Sequence, residues 1–195
     1  MNDANSDSGW RAPDADDSGF VPYDTLQRRA RELGDEAFLR AYPHPALLVT
    51  QQGQLPRPGD IRSAASPDSG VQLLTMSVKS TAILSYLGKV GFVCKRPGNL
   101  FAHLISIGRS IRNDVIISVD TLSKVHGYFV HEDNTWQFND HGSTNGSLLN
   151  NRPLEPGVRL PLKSGDVLVL GPDVALEFLP ADDLLARLRG RPLWS

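Results

Sequence analysis

Between His103 and Leu179 the sequence is a succession of short apolar or β-branched runs, each cut off by a turn signal. The runs are His103–Ile107, Val115–Ile117, Val125–His131, Trp136–Phe138, Ser147–Asn150, Val167–Leu170 and Ala175–Leu179. Turns are marked by Asp133-Asn134, Asn150-Asn151, Ser164-Gly165 and Pro172-Asp173. Many short strands at this spacing predict an antiparallel β-sandwich. The fold class expected is therefore all-β. An N-terminal helical segment and a short C-terminal helix flank it.

Polar clusters fall where these strands should end, so they should meet on one rim. They are Gly108-Arg109, Asn113-Asp114, Ser123-Lys124-Val125-His126 and Asp140-His141-Gly142-Ser143-Thr144-Asn145-Gly146. Together they offer a guanidinium, an ammonium, hydroxyls and a carboxamide. Their carboxylates, Asp114 and Asp140, are read as structural. A donor-rich set with two cations suits a dianion carried on a partner, above all a phosphate.

The series Gly-Arg, Ser-x-x-His, Asp-x-x-Ser-Thr-Asn-Gly, followed by Leu-x-x-Gly-Asp-x-x-x-Leu-Gly at 162–171, resembles a forkhead-associated (FHA) domain. That family reads phosphorylated motifs. The resemblance covers about Val90 to about Leu179. It implies phosphothreonine binding by Arg109, Ser123, Lys124, Thr144 and Asn145. Arg109 would present two parallel donors to phosphate oxygens. Asn145 would meet partner backbone with a group that both donates and accepts. Gly108, His126, Asp140, Ser143 and Gly146 would form the scaffold. Gly108 permits a turn or close approach that a side chain would block, and Gly146 is expected to need a positive φ. His126 is expected to hold the loop rather than touch phosphate. Three departures from the family pattern bear on affinity and flanking preference. Lys124 replaces the common arginine, Gly127 a small side chain, and Ser147 a threonine.

Two rival readings remain. Ser123, His126 and Asp140 could be arranged as nucleophile, base and orienting acid, but a serine and histidine three apart on such a segment rarely reach that geometry. The chain also has no Gly-x-Ser-x-Gly elbow. The stronger rival is a phosphate-independent interaction module of the same fold. No metal-ligand cluster, Gly-rich ATP loop or dinucleotide fingerprint is present, so no cofactor and no metal are expected.

Composition narrows the partners. The formal net charge is −2, with no basic stripe of the kind nucleic acid requires. No apolar run is long enough to span a bilayer. The single cysteine, Cys94, excludes an internal disulfide and fits a reducing cytoplasm. A non-enzymatic, cytoplasmic adaptor is expected. Its partner would be a threonine-phosphorylated protein, either a Ser/Thr kinase or its substrate, with neither nucleic acid nor membrane.

The chain divides, in this reading, into an acidic tail at 1–22, a helix with linker and extra strands at 23–80, the sandwich at 81–181, and a C-terminal helix and tail at 182–195. Met1–Gly19 holds five aspartates against one arginine and is expected to be disordered. Leu26, Ala30, Leu33, Ala37 and Ala41 share a face and predict one helix from Asp24 to about Tyr42, capped by Asp24 with Gln27. Ala46–Thr50, Val71–Val78 and Val90–Cys94 are expected strands, and Ala82–Leu87 is strand or helix. Lys95–Asn99 reads either as a polar hairpin turn or as a flank contact for an acidic partner segment. Thr25, behind the acidic tail, is a candidate kinase target that could fill the site in cis.

Overall fold

The computed structural model describes residues 9–50, 81–97, 99 and 103–190. Expected strand Val71–Val78 lies outside them. Twelve strands and three α-helices follow in the order β1 (Val21–Pro22), α1 (Tyr23–Glu32), α2 (Asp35–Ala41), β2 (Ala46–Thr50), β3 (Lys89–Phe92), β4 (Ile105–Gly108), β5 (Val115–Ile116), β6 (Gly127–Glu132), β7 (Thr135–Asp140), β8 (Ser147–Leu149), β9 (Arg152–Pro153), β10 (Leu160–Pro161), β11 (Val167–Leu170), β12 (Val174–Leu179) and α3 (Ala181–Leu188). They form a seven-stranded sheet, β1-β3-β2-β12-β11-β8-β9, and a five-stranded sheet, β10-β7-β6-β4-β5. The expected sandwich is present. All pairings are antiparallel except β4 with β5, which is parallel.

Alternating residues explain the layering. In β2, Leu47 and Val49 enter the core between the sheets, while Ala46 and Leu48 face the helices. In β12 every residue is buried. Val174, Leu176 and Phe178 join the inter-sheet core, and Leu179 joins the helix-covered one. A strand covered on both faces reads as a nearly continuous apolar run. Its one charge, Glu177, is neutralised by Arg187 of α3.

Ala46–Thr50, an expected strand, is one of the strands of the sandwich itself. It pairs with both β12 and β3 and sits inside the larger sheet. The boundary expected at residue 80 would cut through that sheet.

The acidic tail is also corrected in its described part. Residues 9–22 pack on the domain. Phe20 is 1% exposed and lies over Gly91, where a Cβ would sit 2.6 Å from its ring. Trp10 meets His44 and Phe92 edge-on. Asp16 pairs with Lys89 at 2.7 Å, and Asp14 with Arg29 at 2.8 Å. Burial works against the Asp16 charge, but hydrogen bonds from Lys89 and Ser18 outweigh it and bring its pKa down to about 2. A polar composition thus hides the anchors Trp10, Asp14, Asp16 and Phe20.

The single helix expected from Asp24 is two. Leu33 and Gly34 take extended backbone between α1 and α2. Arg189 donates to the carbonyls of Ala30 (2.8 Å) and Leu33 (2.9 Å), meeting groups that a helix end leaves open. Pro22 holds the N-cap position, with no side-chain cap, so Asp24 and Gln27 do not form the expected box. Ala82–Leu87 begins as a 3-10 turn, Thr81–Ser85, not a strand. No helix among the described residues is long and apolar enough to cross a membrane.

Candidate functional site

The ends of β4, β6, β7, β8 and β11 define one rim. Register fixes this: Ile107 pairs with Gly127, Gly127 with Asp140, and Ser147 with Leu170. Four loops leave there, at 109–114, 117–126, 141–146 and 171–173.

Backbone bonds clamp the first two loops together. Arg109 N–H donates to Ser123 O at 3.0 Å, Ser110 N–H to Lys124 O at 3.2 Å, and His126 N–H to Ile107 O at 2.8 Å. The approach is possible because residue 108 is glycine. A Cβ there would lie 2.7 Å from Lys124 O, 2.8 Å from Ser123 O and 2.9 Å from His126 N. Asn113, 2% exposed, ties the same loops by its side chain, donating to Ser110 O (2.9 Å) and Lys124 O (2.6 Å).

Ser123 carries the link onward. Its Oγ accepts the Thr144 N–H at 3.0 Å and lies 3.4 Å from Thr144 Oγ1. Asn145 donates its Nδ2 to Thr121 O at 2.8 Å, which leaves its Oδ1 for another partner. Gly171 N–H donates to Gly146 O at 2.9 Å, and Gly146 takes φ +72°, as its place in the turn requires.

Beneath the rim lies a buried polar layer. Asp140 accepts Ser143 N–H (2.7 Å), Ser143 Oγ–H (2.6 Å) and the Ser147 hydroxyl. Burial pushes the Asp140 carboxyl up, but these bonds pull it further down, so it stays ionised and below the usual carboxylate range. His126 is fully buried. Its Nδ1 accepts Ser123 N–H at 3.3 Å, so Nε2 bears the proton and faces Gly146 O and Ser147 Oγ. Burial holds His126 below the ordinary imidazole value, although Asp140 at 3.7 Å opposes the shift. The imidazole is neutral at pH 7. Histidine thus holds the serine by its backbone and never meets Ser123 Oγ, so the nucleophile–base geometry of an enzyme is not formed.

The expected residues are brought together unevenly. Arg109, Ser123, Lys124, Thr144 and Asn145 share the rim. Gly108, His126, Asp140, Ser143 and Gly146 support it. The side chains of Arg109 and Lys124 are exposed and make no hydrogen bond or ion pair among the described residues. Thr25 is not brought here. It stands in the first turn of α1 beside β1, five strands from β8 in the sheet order. Among the described residues Thr25 makes no hydrogen bond to the rim, and the cis occupant finds no support in these contacts.

Two supporting groups go beyond the sequence reading, which placed Asn113-Asp114 on the rim and took Asp114 as structural without naming partners. Asn113 is one. Asp114 is the hub of the other. Its carboxylate accepts Ser106 N–H (2.8 Å), Arg96 N–H (2.8 Å) and Asn99 Nδ2 (2.7 Å), and pairs with buried Lys95 at 3.3 Å. Lys95 is therefore an internal tie between its turn and the Arg109 loop, not a free flank contact. The signal was an Asn-Asp pair set against a β-branched run, whose partners lie too far along the chain to be read. No cluster of three metal-ligating groups occurs among the described residues.

Residues 105–171 match the family model of the FHA domain. An FHA domain-containing protein of Arabidopsis thaliana is 37% identical over 68 residues, 34% of this chain and 18% of that protein, so the chain spans less than a fifth of that curated relative. A solution structure of the FHA domain of an Arabidopsis thaliana hypothetical protein is 32% identical, with 39% of this chain and 65% of that one covered and a TM-score of 0.38. The N-terminal FHA domain of an S. cerevisiae protein, solved with a phosphothreonine peptide, is 25% identical over 44% of this chain and 74% of that one, with a TM-score of 0.39.

Proposed function

We propose that this chain, an FHA domain protein by its residues 105–171, is an adaptor that binds threonine-phosphorylated proteins in trans through the rim of its sandwich. One observation carries the reading. The Arg109 guanidinium, unpaired among the described residues, is carried on the loop clamped to Ser123 and Lys124, Ser123 holds Thr144 in turn, and the carboxylates of Asp114 and Asp140 are engaged by internal donors. A phosphate monoester brings about −1.5 to −2 charges and three acceptor oxygens, which this donor set matches. Arg109 meets it as a fork, Lys124 as a point charge, and Ser123 and Thr144 as hydroxyls. Asn145 Oδ1 takes a backbone N–H of the partner beside the phosphothreonine. The clamp on Ser123 and Arg109 means that little of this geometry has to be ordered on binding.

The partner is a Ser/Thr kinase or one of its substrates, and the protein acts by binding, not by turnover. The test compares a degenerate phosphothreonine peptide library with its unphosphorylated and phosphoserine twins, by fluorescence anisotropy on the full chain. Retention of the phosphothreonine pool alone is expected. Equal binding of the unphosphorylated pool would overturn the reading in favour of a phosphate-independent module.

A further inference from the structure

Ile111 is the most exposed large apolar side chain among the described residues, at 82%, and it joins neither core cluster. Yet the backbone that displays it is fixed. Asn113 N–H donates to Ser110 O at 3.1 Å, closing a β-turn with Ile111 and Arg112 at its centre. Arg112 N–H donates to Ser110 Oγ at 3.3 Å, Asn113 Nδ2 holds Ser110 O, and Ser110 N–H is held by Lys124 O. The turn is thus clamped to the loop that carries Ser123.

Arg112 is exposed, and its guanidinium makes no hydrogen bond or ion pair among the described residues. The rim therefore presents three unpaired cations, Arg109, Lys124 and Arg112. A phosphate of charge about −2 is matched by the first two, and the third is left over. On the other side of the rim stands Asp120, exposed, next to the Thr121 carbonyl that holds Asn145. Charge along the rim is directional, positive at the Ser110–Asn113 turn and negative beyond Asn145.

We infer that the Ile111-Arg112 turn is the specificity element of this site. On one side of the phosphothreonine it takes an apolar residue against Ile111 and an acidic side chain against Arg112. The inference rests on the phosphothreonine reading. Arg112 is three residues from Arg109, at most about 10 Å of chain, and an extended peptide advances about 3.3 Å per residue. The residues tested therefore stand two or three positions from the phosphothreonine. Acidic residues on the Asp120 side are disfavoured.

The experiment uses phosphothreonine peptides with Leu and Glu, Leu and Lys, Ala and Glu, or Ala and Ala at those positions, placed N-terminal in one set and C-terminal in the other. Wild type is compared with Ile111→Ser and Arg112→Glu, with melting curves showing that both surface variants stay folded. Wild type should prefer Glu over Lys by about three- to fivefold on one side only, the scale of an exposed ion pair. Arg112→Glu should invert that preference, and Ile111→Ser should erase the preference for Leu over Ala. The preferences are read as affinity ratios between peptides within each protein, so a uniform loss of affinity from the reversed charge of Arg112→Glu cancels. Variants that keep every wild-type preference while phosphate dependence persists would overturn the inference alone. Wild type that ignores phosphorylation in all peptides would overturn the inference together with the function it rests on.

Discussion

Replacing Gly108 with alanine tests how the rim is built. The new methyl would stand 2.7 to 2.9 Å from three backbone atoms, Lys124 O, Ser123 O and His126 N. No rotamer relieves a clash with backbone, so the 123–126 loop must retreat until those contacts reach at least 3.4 Å. The bonds from Arg109 N–H and His126 N–H that close the loop are at 3.0 and 2.8 Å, and the retreat stretches both. Overpacking of this kind costs about 1–3 kcal/mol. At roughly 2–4 °C per kcal/mol for a chain of this size, the melting temperature should fall by several degrees. Phosphopeptide affinity should fall further than stability alone explains, because Arg109 and Ser123 move apart. Two glycines serve as controls. Gly146→Ala has open space but φ +72° and should cost about 1–2 kcal/mol. Gly34→Ala, at φ −69° in open space, should change stability by less than about 1 kcal/mol, because the stiffer unfolded chain is offset by a poorer N-cap for α2. Differential scanning calorimetry and peptide titration read all three. A Gly108→Ala protein that melts and binds like wild type would refute the claim that the two loops touch across this residue.

Three further predictions concern the supports. Phe20→Ala should destabilise by about 3–5 kcal/mol in urea titration, because Phe20 is buried over Gly91 and edge-on to Tyr86; an unchanged midpoint would return residues 9–22 to the status of a loose tail. Asp114→Ala leaves Lys95 buried without its counter-charge and should cost about 3–5 kcal/mol, also read by urea; a loss below 1 kcal/mol would show the hub to be dispensable. His126 has a folded pKa below its unfolded value of 6.5, so the unfolded chain binds more protons between the two. Stability is full above about pH 6.5 and falls as pH drops toward the folded pKa, with Asp140 adding to the loss below about 3.8. Its ring resonances in NMR should titrate below 6.5, and titration above that value would contradict the neutral, buried imidazole.

Much of this rim is legible from residues alone because its determinants are local. Asn150 and Asn151 both take positive φ in a two-residue hairpin, as an Asn-Asn pair between β runs implies. Gly108 before Arg109 signals a close approach, and the approach is there. Where the reading fails, the deciding contact is remote. Residues 9–22 look disordered by composition, yet Trp10, Ala12 and Phe20 are anchored by strands and side chains far along the sequence. Ala46–Thr50 looks like a lone strand because its partners, β3 and β12, come about 40 and 125 residues later. The helix breaks at Leu33-Gly34, where Arg189 supplies donors that no helical window contains. The parallel pairing of β4 with β5 is invisible for a related reason. Both strands are short, and their direction is set by the Arg109–Asp114 loop, which Asn113 and Asp114 fold back onto the core.

The central claim is that Arg109 provides phosphate recognition on a rim assembled independently of it. Isothermal titration of Arg109→Ala and wild type with one phosphothreonine peptide and its unphosphorylated twin measures this directly. Charge-assisted hydrogen bonds contribute about 1.5–3 kcal/mol each. The variant should therefore lose at least about tenfold in affinity for the phosphorylated peptide, keep its melting temperature, and approach equal binding of the two peptides. A variant that retains the wild-type preference for the phosphorylated peptide contradicts the account.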